Sequence, residues 1–289
     1  MNNLFIIYRF IHKMFACIVM VTFVPVRRYA GHHSQEDIMS KKFEDKIALV
    51  TGGSSGIGLA TAKRFVAEGA HVYITGRSKA GLEAAAREIG GGVTAVQADA
   101  SKAADLDRLY DQIKRERGKL DTIFVNAGGG NFVPLGHISE DFYNTVFDTN
   151  VKGVIFTVQK ALSLLKDGGT IVLNASTTAS QGMPNFSVYA ASKAAVRNLA
   201  RGWANDLKDR KIRVNAVSPG VIVTPAYYKG GLTEEQVKGF AAQMATKIPL
   251  GRTGEADEIA KAVVFLASDD SSFVNAVELL VDGGMVGVG

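Results

Sequence analysis

Residues 51–58 read TGGSSGIG and directly follow the apolar run KIALV at residues 46–50. The run has the composition of a buried strand, and the residues after the glycines have helical periodicity. Glycines between a strand and a helix let the backbone turn sharply and let a phosphate group approach the main chain, with the helix N-terminus facing it. The stretch therefore predicts a strand–turn–helix unit that binds a dinucleotide.

Beyond this unit, short β-branched runs alternate with longer segments of helical periodicity, which predicts βαβ units around a parallel sheet. The predicted strands are Lys46–Thr51, His71–Thr75, Val93–Ala98, Leu120–Asn126, Thr170–Ala175, Ile212–Val217 and Val277–Val281. The predicted helices are Gly56–Glu68, Lys79–Ile89, Lys102–Glu116, Glu140–Leu165, Val188–Lys208 and Glu255–Ala267. Because βαβ crossovers are right-handed, the units wind onto both faces of the sheet, with the ligand crevice at the carboxyl ends of the strands.

Length and composition favour one α/β domain over residues 41–289. The chain has 289 residues, 47% of them hydrophobic, and its sequence after residue 45 has no Pro-rich, Ser-rich or like-charged run that would mark a boundary. The formal charge of +5 is too small and too scattered to indicate nucleic acid. One cysteine, Cys17, and scattered histidines exclude a cysteine cluster and a histidine ligand set, so we predict no metal site.

Residues 1–40 differ from the rest of the chain. The apolar run at residues 15–26 is too short to cross a bilayer and follows Arg9 and Lys13, as in a signal peptide. An organelle-targeting peptide processed near residues 27–29, or a natural start at Met39 that makes these residues an ordinary leader, also fits. We favour the start at Met39 and a cytoplasmic protein without a membrane anchor, and the signal and targeting alternatives stay open.

The end of the second predicted strand bears on the choice of nucleotide. An acidic residue there would hydrogen-bond the ribose hydroxyls of NAD and repel a 2′-phosphate, but residues 75–78 read TGRS. Gly76 leaves room for a phosphate, and Arg77 can pair with it in bidentate fashion. The stretch predicts NADP(H), while NAD(H) stays possible if Arg77 is only a solvated turn residue.

Four polar residues further along the chain form a second pattern. Tyr189 and Lys193 lie four positions apart in a predicted helix, so they share one face. Ser176 follows the fifth predicted strand, and Asn150 lies in the segment DTNVKG at residues 148–153. Any one of these residues alone is uninformative, but all four in this order behind a glycine-rich turn indicate a catalytic set.

The glycine spacing and the four polar residues resemble the TGxxxGxG fingerprint and the Asn-Ser-Tyr-Lys tetrad of the classical short-chain dehydrogenase/reductase family. The resemblance covers about residues 43–286. It implies a Rossmann-type, doubly wound sheet of seven mainly parallel strands in the order 3-2-1-4-5-6-7, with helices on both faces. The cofactor-binding residues that it implies are Gly52, Ser54, Ser55, Gly56, Ile57, Gly58, Arg77, Ser78, Asp99, Ala100, Asn126, Ala127, Gly128, Tyr189, Lys193, Pro219, Gly220, Val221, Ile222 and Thr224.

By the same resemblance, the chain is expected to interconvert a ketone or aldehyde and an alcohol by hydride transfer, with Tyr189 as general acid/base. Lowering the tyrosine pKa of about 10 by about three units requires about 4 kcal/mol. A cation about 4 Å away at an effective dielectric of about 20 contributes roughly that much, so Lys193 is expected to lower the pKa of Tyr189. Ser176 is expected to hold the substrate oxygen, and Asn150 a water that joins Lys193 to solvent.

Substrate choice is expected to depend on residues 180–186 and 225–249, whose aromatic and apolar residues fit a lid or, equally, a core or subunit interface. The segment at residues 225–249 contains Tyr227, Tyr228, Phe240 and Met244. The chain also resembles 3-oxoacyl-carrier-protein reductases and bacterial glucose-dehydrogenase-like members of the family. Arg210 fits an acidic carrier protein, but Asp167 should repel it, so a general carbonyl reductase is preferred.

Two further expectations concern partners. A catalytically silent NADP(H)-binding sensor is the alternative from another class, but such a protein would be expected to lack a tetrad residue, and all four are present. The resemblance implies a homotetramer, and the helix near Val188 carries small residues that would let helices approach closely between subunits. These residues are Ala190, Ala191, Ala194 and Ala195.

Overall fold

A computed structural model describes residues 41–229 and 231–288, and the predicted leader lies outside the described residues. The strands form one parallel sheet in the order β3-β2-β1-β4-β5-β6-β7. They are β1 (Ile47–Thr51), β2 (His71–Gly76), β3 (Val93–Gln97), β4 (Leu120–Val125), β5 (Leu165–Asn174), β6 (Arg213–Pro219) and β7 (Glu278–Val281). The predicted fold class and strand order are confirmed.

The helices connect these strands. They are α1 (Gly56–Ala67), α2 (Lys79–Ile89), α3 (Ala103–Glu116), α4 (Glu140–Phe147), α5 (Gly153–Ala161), α6 (Ser187–Asp206), α7 (Pro225–Lys229), α8 (Glu234–Ala245) and α9 (Ala256–Ala267). A π-helical turn at Asp148–Lys152 joins α4 to α5. Among the described residues, no helix is long and apolar enough to cross a bilayer.

The sheet separates two hydrophobic layers, because successive side chains of a strand point to opposite faces. On β1, Leu49 packs with residues of α3, α5 and α6, while Val50 packs with residues of α1 and α9. Both side chains are fully buried, and burying a Leu or Val side chain stabilises the fold by about 1.5–3 kcal/mol. The doubly wound arrangement leaves the carboxyl edge of the sheet free of crossing helices.

The prediction of one helix from Glu140 to Leu165 is wrong. The π-helical turn interrupts it, the helix ends at Ala161, and Leu165 already pairs with Leu120 as the first residue of β5. The sequence KDGG at residues 166–169 has the composition of a turn and therefore obscured the start of β5. A register shift between Leu120 and Thr122 accommodates these residues within the strand pair.

Helices α7 and α8 were not predicted. Helix α8 begins with a capping box, in which the Thr233 side chain accepts from the Gln236 main chain and the Gln236 side chain accepts from the Thr233 main chain. The sequence TEEQ at residues 233–236 carries this signal. The capping box could therefore have located the start of α8 before the structure was known.

Candidate active site

The glycine-rich turn lies between β1 and α1 at the carboxyl edge of the sheet. Gly52 and Gly56 have φ values of +67° and +56°, which side-chain-bearing residues rarely adopt. A Cβ atom on Gly58 would come within 2.7 Å of Asn126 Nδ2 and would also overlap the Gly52 carbonyl. The N-cap residue of α1, Ser55, makes no side-chain hydrogen bond to the helix, so the first N–H groups of α1 are left for another acceptor. These features fit a bound pyrophosphate.

Asn126 joins the ends of three strands. Its Nδ2 donates to the Thr51 carbonyl at 3.0 Å, and its Oδ1 accepts from Asn174 Nδ2 at 2.8 Å. The Thr51 hydroxyl in turn accepts from the main-chain N–H groups of Asn126 and Ala127. Asn126 therefore positions the glycine-rich turn relative to β4 and β5, and its amide is already occupied by protein partners.

The region beyond β2 contains Arg77 and Ser78. A Cβ atom on Gly76 would lie 3.2 Å from Ser54 Oγ, so the end of β2 packs directly against the glycine-rich turn. The Ser78 hydroxyl accepts from Gly81 N–H at 3.1 Å and caps α2. Arg77 is exposed, and its guanidinium forms no ion pair with an acidic group in the described part of the chain.

Asp99 and Ala100 follow β3. One oxygen of Asp99 accepts from both the N–H and the hydroxyl of Ser101, and the Asp99 N–H donates to Asp105 at 2.9 Å. A Cβ atom on Gly153 would lie 3.0 Å from the Ala100 carbonyl, so this loop packs directly on the start of α5. The structure thus holds the turn after β3 rigidly at the carboxyl edge.

The loop after β6 meets the glycine-rich turn. A Cβ atom added to Gly56 would lie 3.2 Å from Thr224 Cβ, so these two residues are in close contact. A Cβ atom added to Gly220 would lie 2.7 Å from Asp282 Cβ, so Gly220 also packs closely on its neighbour. Ile222 pairs with Gly254, whose N–H donates to the Val221 carbonyl at 2.9 Å. The structure therefore brings the predicted residues after β6 and those after β1 to one crevice.

Tyr189, Lys193 and Ser176 lie together beside this crevice. The Lys193 Nζ atom lies 5.6 Å from the centroid of the Tyr189 ring and donates to the Asn174 carbonyl at 2.7 Å. Ser176 Oγ accepts from both the N–H and the hydroxyl of Thr178. The Ser176 hydroxyl can therefore donate its own proton to another group. Hydrogen bonding by Ser176 lowers the pKa of Tyr189, so the serine hydroxyl lies close to the phenol.

Asn150 lies in the π-helical turn and is fully buried. Its Nδ2 donates to the Gly129 carbonyl and to Ser192 Oγ, both at 2.9 Å, and its Oδ1 accepts from Gly129 N–H at 3.0 Å. Ser192 Oγ donates to the Tyr189 carbonyl at 2.7 Å. The side-chain amide therefore has protein partners at both of its N–H groups and at its oxygen, and the expected role of Asn150 with a water stays a prediction.

The expectation that Lys193 lowers the pKa of Tyr189 stays a prediction, and burial acts on both groups in the structure. Burial raises the pKa of Tyr189 to about 12, outweighing the opposing hydrogen bond from Ser176. Burial also lowers the pKa of Lys193 to about 8. The physical reason is that both groups lie away from water, which disfavours the charged form of each, and the ammonium group donates to Asn174.

Five residues near this site were not predicted as site residues: Gly129, Gly130, Phe132, Asn174 and Ser192. A Cβ atom on Gly130 would lie 2.6 Å from Tyr189 Cδ2, so the Gly130 main chain packs against the ring. Phe132 stacks on Phe186, which stacks on Tyr189, with 4.4 Å between the ring centroids in each pair. The unbroken run GGG at residues 128–130 was a signal of close backbone approach.

The expected lid residues divide between core and site. Met244 is buried with Val221 and Ile248, as a core residue. Tyr227 packs against Phe240 with 5.7 Å between ring centroids and lies close enough to Tyr189 to raise its pKa. Tyr228 is 46% exposed. Of the two alternatives, the lid therefore fits Tyr227 and the core fits Met244.

A crevice with these features is typical of an enzyme that binds a nicotinamide dinucleotide at the switch point of a doubly wound sheet. The family model described as enoyl-(acyl carrier protein) reductase matches residues 52–286. The chain is an enzyme of the short-chain dehydrogenase/reductase family, whose members bind NAD(P)(H) and act on small molecules.

Several relatives match over most of their length. The oxidoreductase asL5 of Sarocladium schorii is 48% identical over 85% of this chain and 97% of its own. The NADP-dependent (R)-specific alcohol dehydrogenase of Lentilactobacillus kefiri is 37% identical over 85% of this chain and 98% of its own. A solved short-chain dehydrogenase/reductase of Brucella melitensis, described as a glucose/ribitol dehydrogenase, matches with a TM-score of 0.80, 32% identity and coverage of 86% and 99%.

Proposed function

We propose that this protein is an NADP(H)-dependent carbonyl reductase or alcohol dehydrogenase with Tyr189 as its general acid/base. The observation that carries the proposal is the placement of a protonated tyrosine, a hydroxyl donor and a buried lysine beside a glycine-lined crevice. The dinucleotide would supply the hydride chemistry. The residues that would hold it are the glycine-rich turn, Arg77 and the loop at residues 219–224.

Tyr189 delivers a proton to the substrate oxygen during reduction. Its pKa of about 12 keeps it protonated at neutral pH, so the donor form is fully populated. The Ser176 hydroxyl, whose oxygen already accepts twice from Thr178, donates a second hydrogen bond to the same oxygen and polarises the carbonyl. In the oxidation direction Tyr189 must first lose its proton, so oxidation is favoured by rising pH.

Lys193 and Asn150 support this chemistry in different ways. Lys193, with its lowered pKa, passes protons to Tyr189 when the phenol has been deprotonated. Asn150 is a positioning residue, because its hydrogen bonds hold Gly129 and Ser192, and Ser192 holds the main chain of Tyr189. We thus assign the side chain of Asn150 to architecture rather than to a water.

Arg77 supports NADP(H) over NAD(H). It is exposed at the carboxyl end of β2, next to the N-terminus of α2, where N–H groups and the helix dipole favour an anion. The L. kefiri relative is described as NADP-dependent. NAD(H) stays possible as a second nucleotide.

The carrier-protein alternative has less support. The guanidinium of Arg210 is paired with Asp167 at 2.8 Å and donates to the carbonyls of Leu162 and Leu165. It is therefore engaged within the domain rather than presented to an acidic partner. A relative described as a 3-oxoacyl-carrier-protein reductase, from Thermotoga maritima, is 35% identical, so this alternative is a useful second assay. We further propose a cytoplasmic homotetramer, which light scattering tests directly.

Replacing Tyr189 by Phe tests the function. The variant removes the proton donor and little else, so turnover of a ketone panel with NADPH should fall by about 10²–10⁴-fold while NADPH binding is retained. Tyr143→Phe on α4 is the matched control, because it removes a phenol hydroxyl from a half-exposed tyrosine that has no role in the proposed site. More than about a tenth of wild-type kcat in Tyr189→Phe would contradict the assignment, and absence of turnover in the wild type would favour the silent sensor.

A further inference from the structure

We propose that the substrate is an uncharged ketone, or the matching alcohol, whose reacting carbon carries a flat aromatic ring. This inference rests on the proposed function, because it concerns the group that lies next to Tyr189. It is carried by the aromatic stack, which we define as Phe132, Phe186 and Tyr189, and by the absence of charge in the segments around it.

The aromatic stack leads from the surface to the proton donor. The ring planes of Phe132 and Phe186 are 21° apart, and those of Phe186 and Tyr189 are 27° apart, with 4.4 Å between centroids in both pairs. Phe132 is 51% exposed, so the protein itself leaves the outer ring about half uncovered. A large apolar ring beside a reaction centre is best covered by an apolar part of the ligand.

The stack is held in place before any substrate binds. The Val133 N–H donates to the Asn185 carbonyl at 2.7 Å, which ties the loop that carries Phe132 to the loop that carries Phe186. The Gly130 main chain packs against the Tyr189 ring, since a Cβ atom there would lie 2.6 Å from Cδ2. A preorganised aromatic wall loses little entropy on binding and favours a rigid, flat partner.

The segments that border Tyr189 contain no Asp, Glu, Lys or Arg. They are residues 127–139 (AGGGNFVPLGHIS), 176–189 (STTASQGMPNFSVY) and 221–228 (VIVTPAYY). Arg197 reaches the border at Ser180 with a 2.6 Å hydrogen bond, but it lies 3.6 Å from Glu278, which neutralises it. Lys193 lies 5.6 Å from the Tyr189 ring centroid, but it is buried and donates to the Asn174 carbonyl. A carboxylate or phosphate on the substrate would therefore find no exposed counter-charge in these segments, so an uncharged substrate is favoured.

A second aromatic pair lies near the same phenol. Tyr227 of α7 packs against Phe240 of α8 and lies near Tyr189. Aromatic groups therefore reach the proton donor from two separate parts of the chain. Contacts between aromatic rings contribute binding energy beyond that of the apolar area they bury. This contribution distinguishes a substrate with an aromatic ring from one with a saturated ring of the same size.

Acetophenone and cyclohexyl methyl ketone form a matched test pair, because they differ only in whether the ring is aromatic. The purified full-length chain is assayed with NADPH, and kcat and KM are measured for both ketones. We expect Phe132→Leu, which keeps apolar volume but removes the ring, to lower the preference for acetophenone by about 3- to 10-fold, mainly through KM. The ratio of preferences between variant and wild type cancels the difference in intrinsic reactivity of the two ketones.

Leu135→Ala is the matched control, since Leu135 lies on the same loop and is 88% exposed. It should leave the preference unchanged, and thermal unfolding should show that both variants are folded. If Phe132→Leu lowers kcat/KM equally for both ketones, or if a charged 2-oxo acid is turned over faster than acetophenone, the inference is overturned but the proposed function is not. Absence of turnover with every carbonyl compound, using NADPH and NADH, would instead refute the proposed function.

Discussion

The two halves of the candidate site are built in different ways. In the cofactor half, after β1 and β2, the main chain forms the crevice, and Gly52 and Gly56 with positive φ values shape the turn after β1. In the reacting half, Ser192 of the same helix and Phe186 of the preceding loop contact Tyr189, and Asn150 of the π-helical turn holds Ser192. The cofactor half therefore tolerates few added atoms, whereas the chemistry of the reacting half depends on the distances and charges of particular side chains.

Gly58→Ala should have the largest effect, because the added Cβ atom would overlap Asn126 and the Gly52 carbonyl in the cofactor half. We expect cofactor affinity to fall by more than about 100-fold, or the protein to lose its fold, since a backbone clash here cannot relax without moving β4. Gly202→Ala in α6 is the control. A Cβ atom there has open space, and Ala stabilises a helix relative to Gly by about 1 kcal/mol. Equal behaviour of the two variants in NADPH titrations would contradict the role of the main chain.

Arg77→Ala tests the charged side chain of the cofactor half that we assign to the 2′-phosphate. A charge-assisted hydrogen bond to a phosphate contributes about 1.5–3 kcal/mol, so NADPH affinity should fall by about 10- to 100-fold while NADH affinity changes by less than about threefold. Adding Gly76→Asp should favour NADH, because it introduces repulsion. Arg87→Ala, at the far end of α2, serves as control, and wild-type protein that binds NADH as tightly as NADPH would show that Arg77 is only a turn residue.

Lys193→Met tests the charges of the reacting half. The pKa of Lys193 is lowered from 10.5 to about 8, so at pH 7 the folded and unfolded states are both protonated and the full burial penalty of about 3 kcal/mol is present. Between pH 8 and 10.5 the unfolded state holds the proton that the folded state has lost, so the penalty shrinks as pH rises.

Lys193→Met removes this burial penalty but also loses the hydrogen bond to Asn174, which offsets part of the gain. The free energy of unfolding should therefore rise by about 2 kcal/mol at pH 7 and by less than about 1 kcal/mol at pH 9.5. Chemical denaturation at the two pH values measures this difference. Lys238→Met, on a side chain that is 73% exposed, should show no such trend. A gain that does not change with pH would mean that the lysine is not buried as an ammonium group.

Gly130→Ala should have the smallest effect. It tests in the reacting half the constraint found in the cofactor half, namely that the main chain leaves no room for an added Cβ atom. The added Cβ atom would lie 2.6 Å from Tyr189 Cδ2, so the ring and the main chain of residue 130 must move apart by a total of about 0.8 Å, which should lower kcat by about tenfold. Gly129→Ala is the neighbouring control, because a Cβ atom there meets nothing within 4 Å. If both variants retain wild-type kcat, the ring of Tyr189 is not held by the main chain of residue 130.

Much of this molecule was predictable because its signals are local. The run of residues 46–58 specifies a buried strand, a turn that only glycine permits and a helix, and these lie next to one another in the chain. The spacing of Tyr189 and Lys193 likewise follows from one helix. By contrast, α4 and α5 were predicted as one helix with the start of β5, because a π-helical turn has no distinctive composition and KDGG resembles a turn.

What the sequence by itself determined is the class of fold, and it also predicted the position of the nucleotide crevice and the four polar residues, since each depends on local periodicity or on a resemblance of short motifs. Only the tertiary structure decided that Asn150 binds Gly129 and Ser192, that Phe132 stacks over Phe186, and that burial raises the pKa of Tyr189. The physical reason is that hydrogen-bond partners, ring contacts and desolvation arise between segments far apart in the chain, and no local pattern encodes their distances.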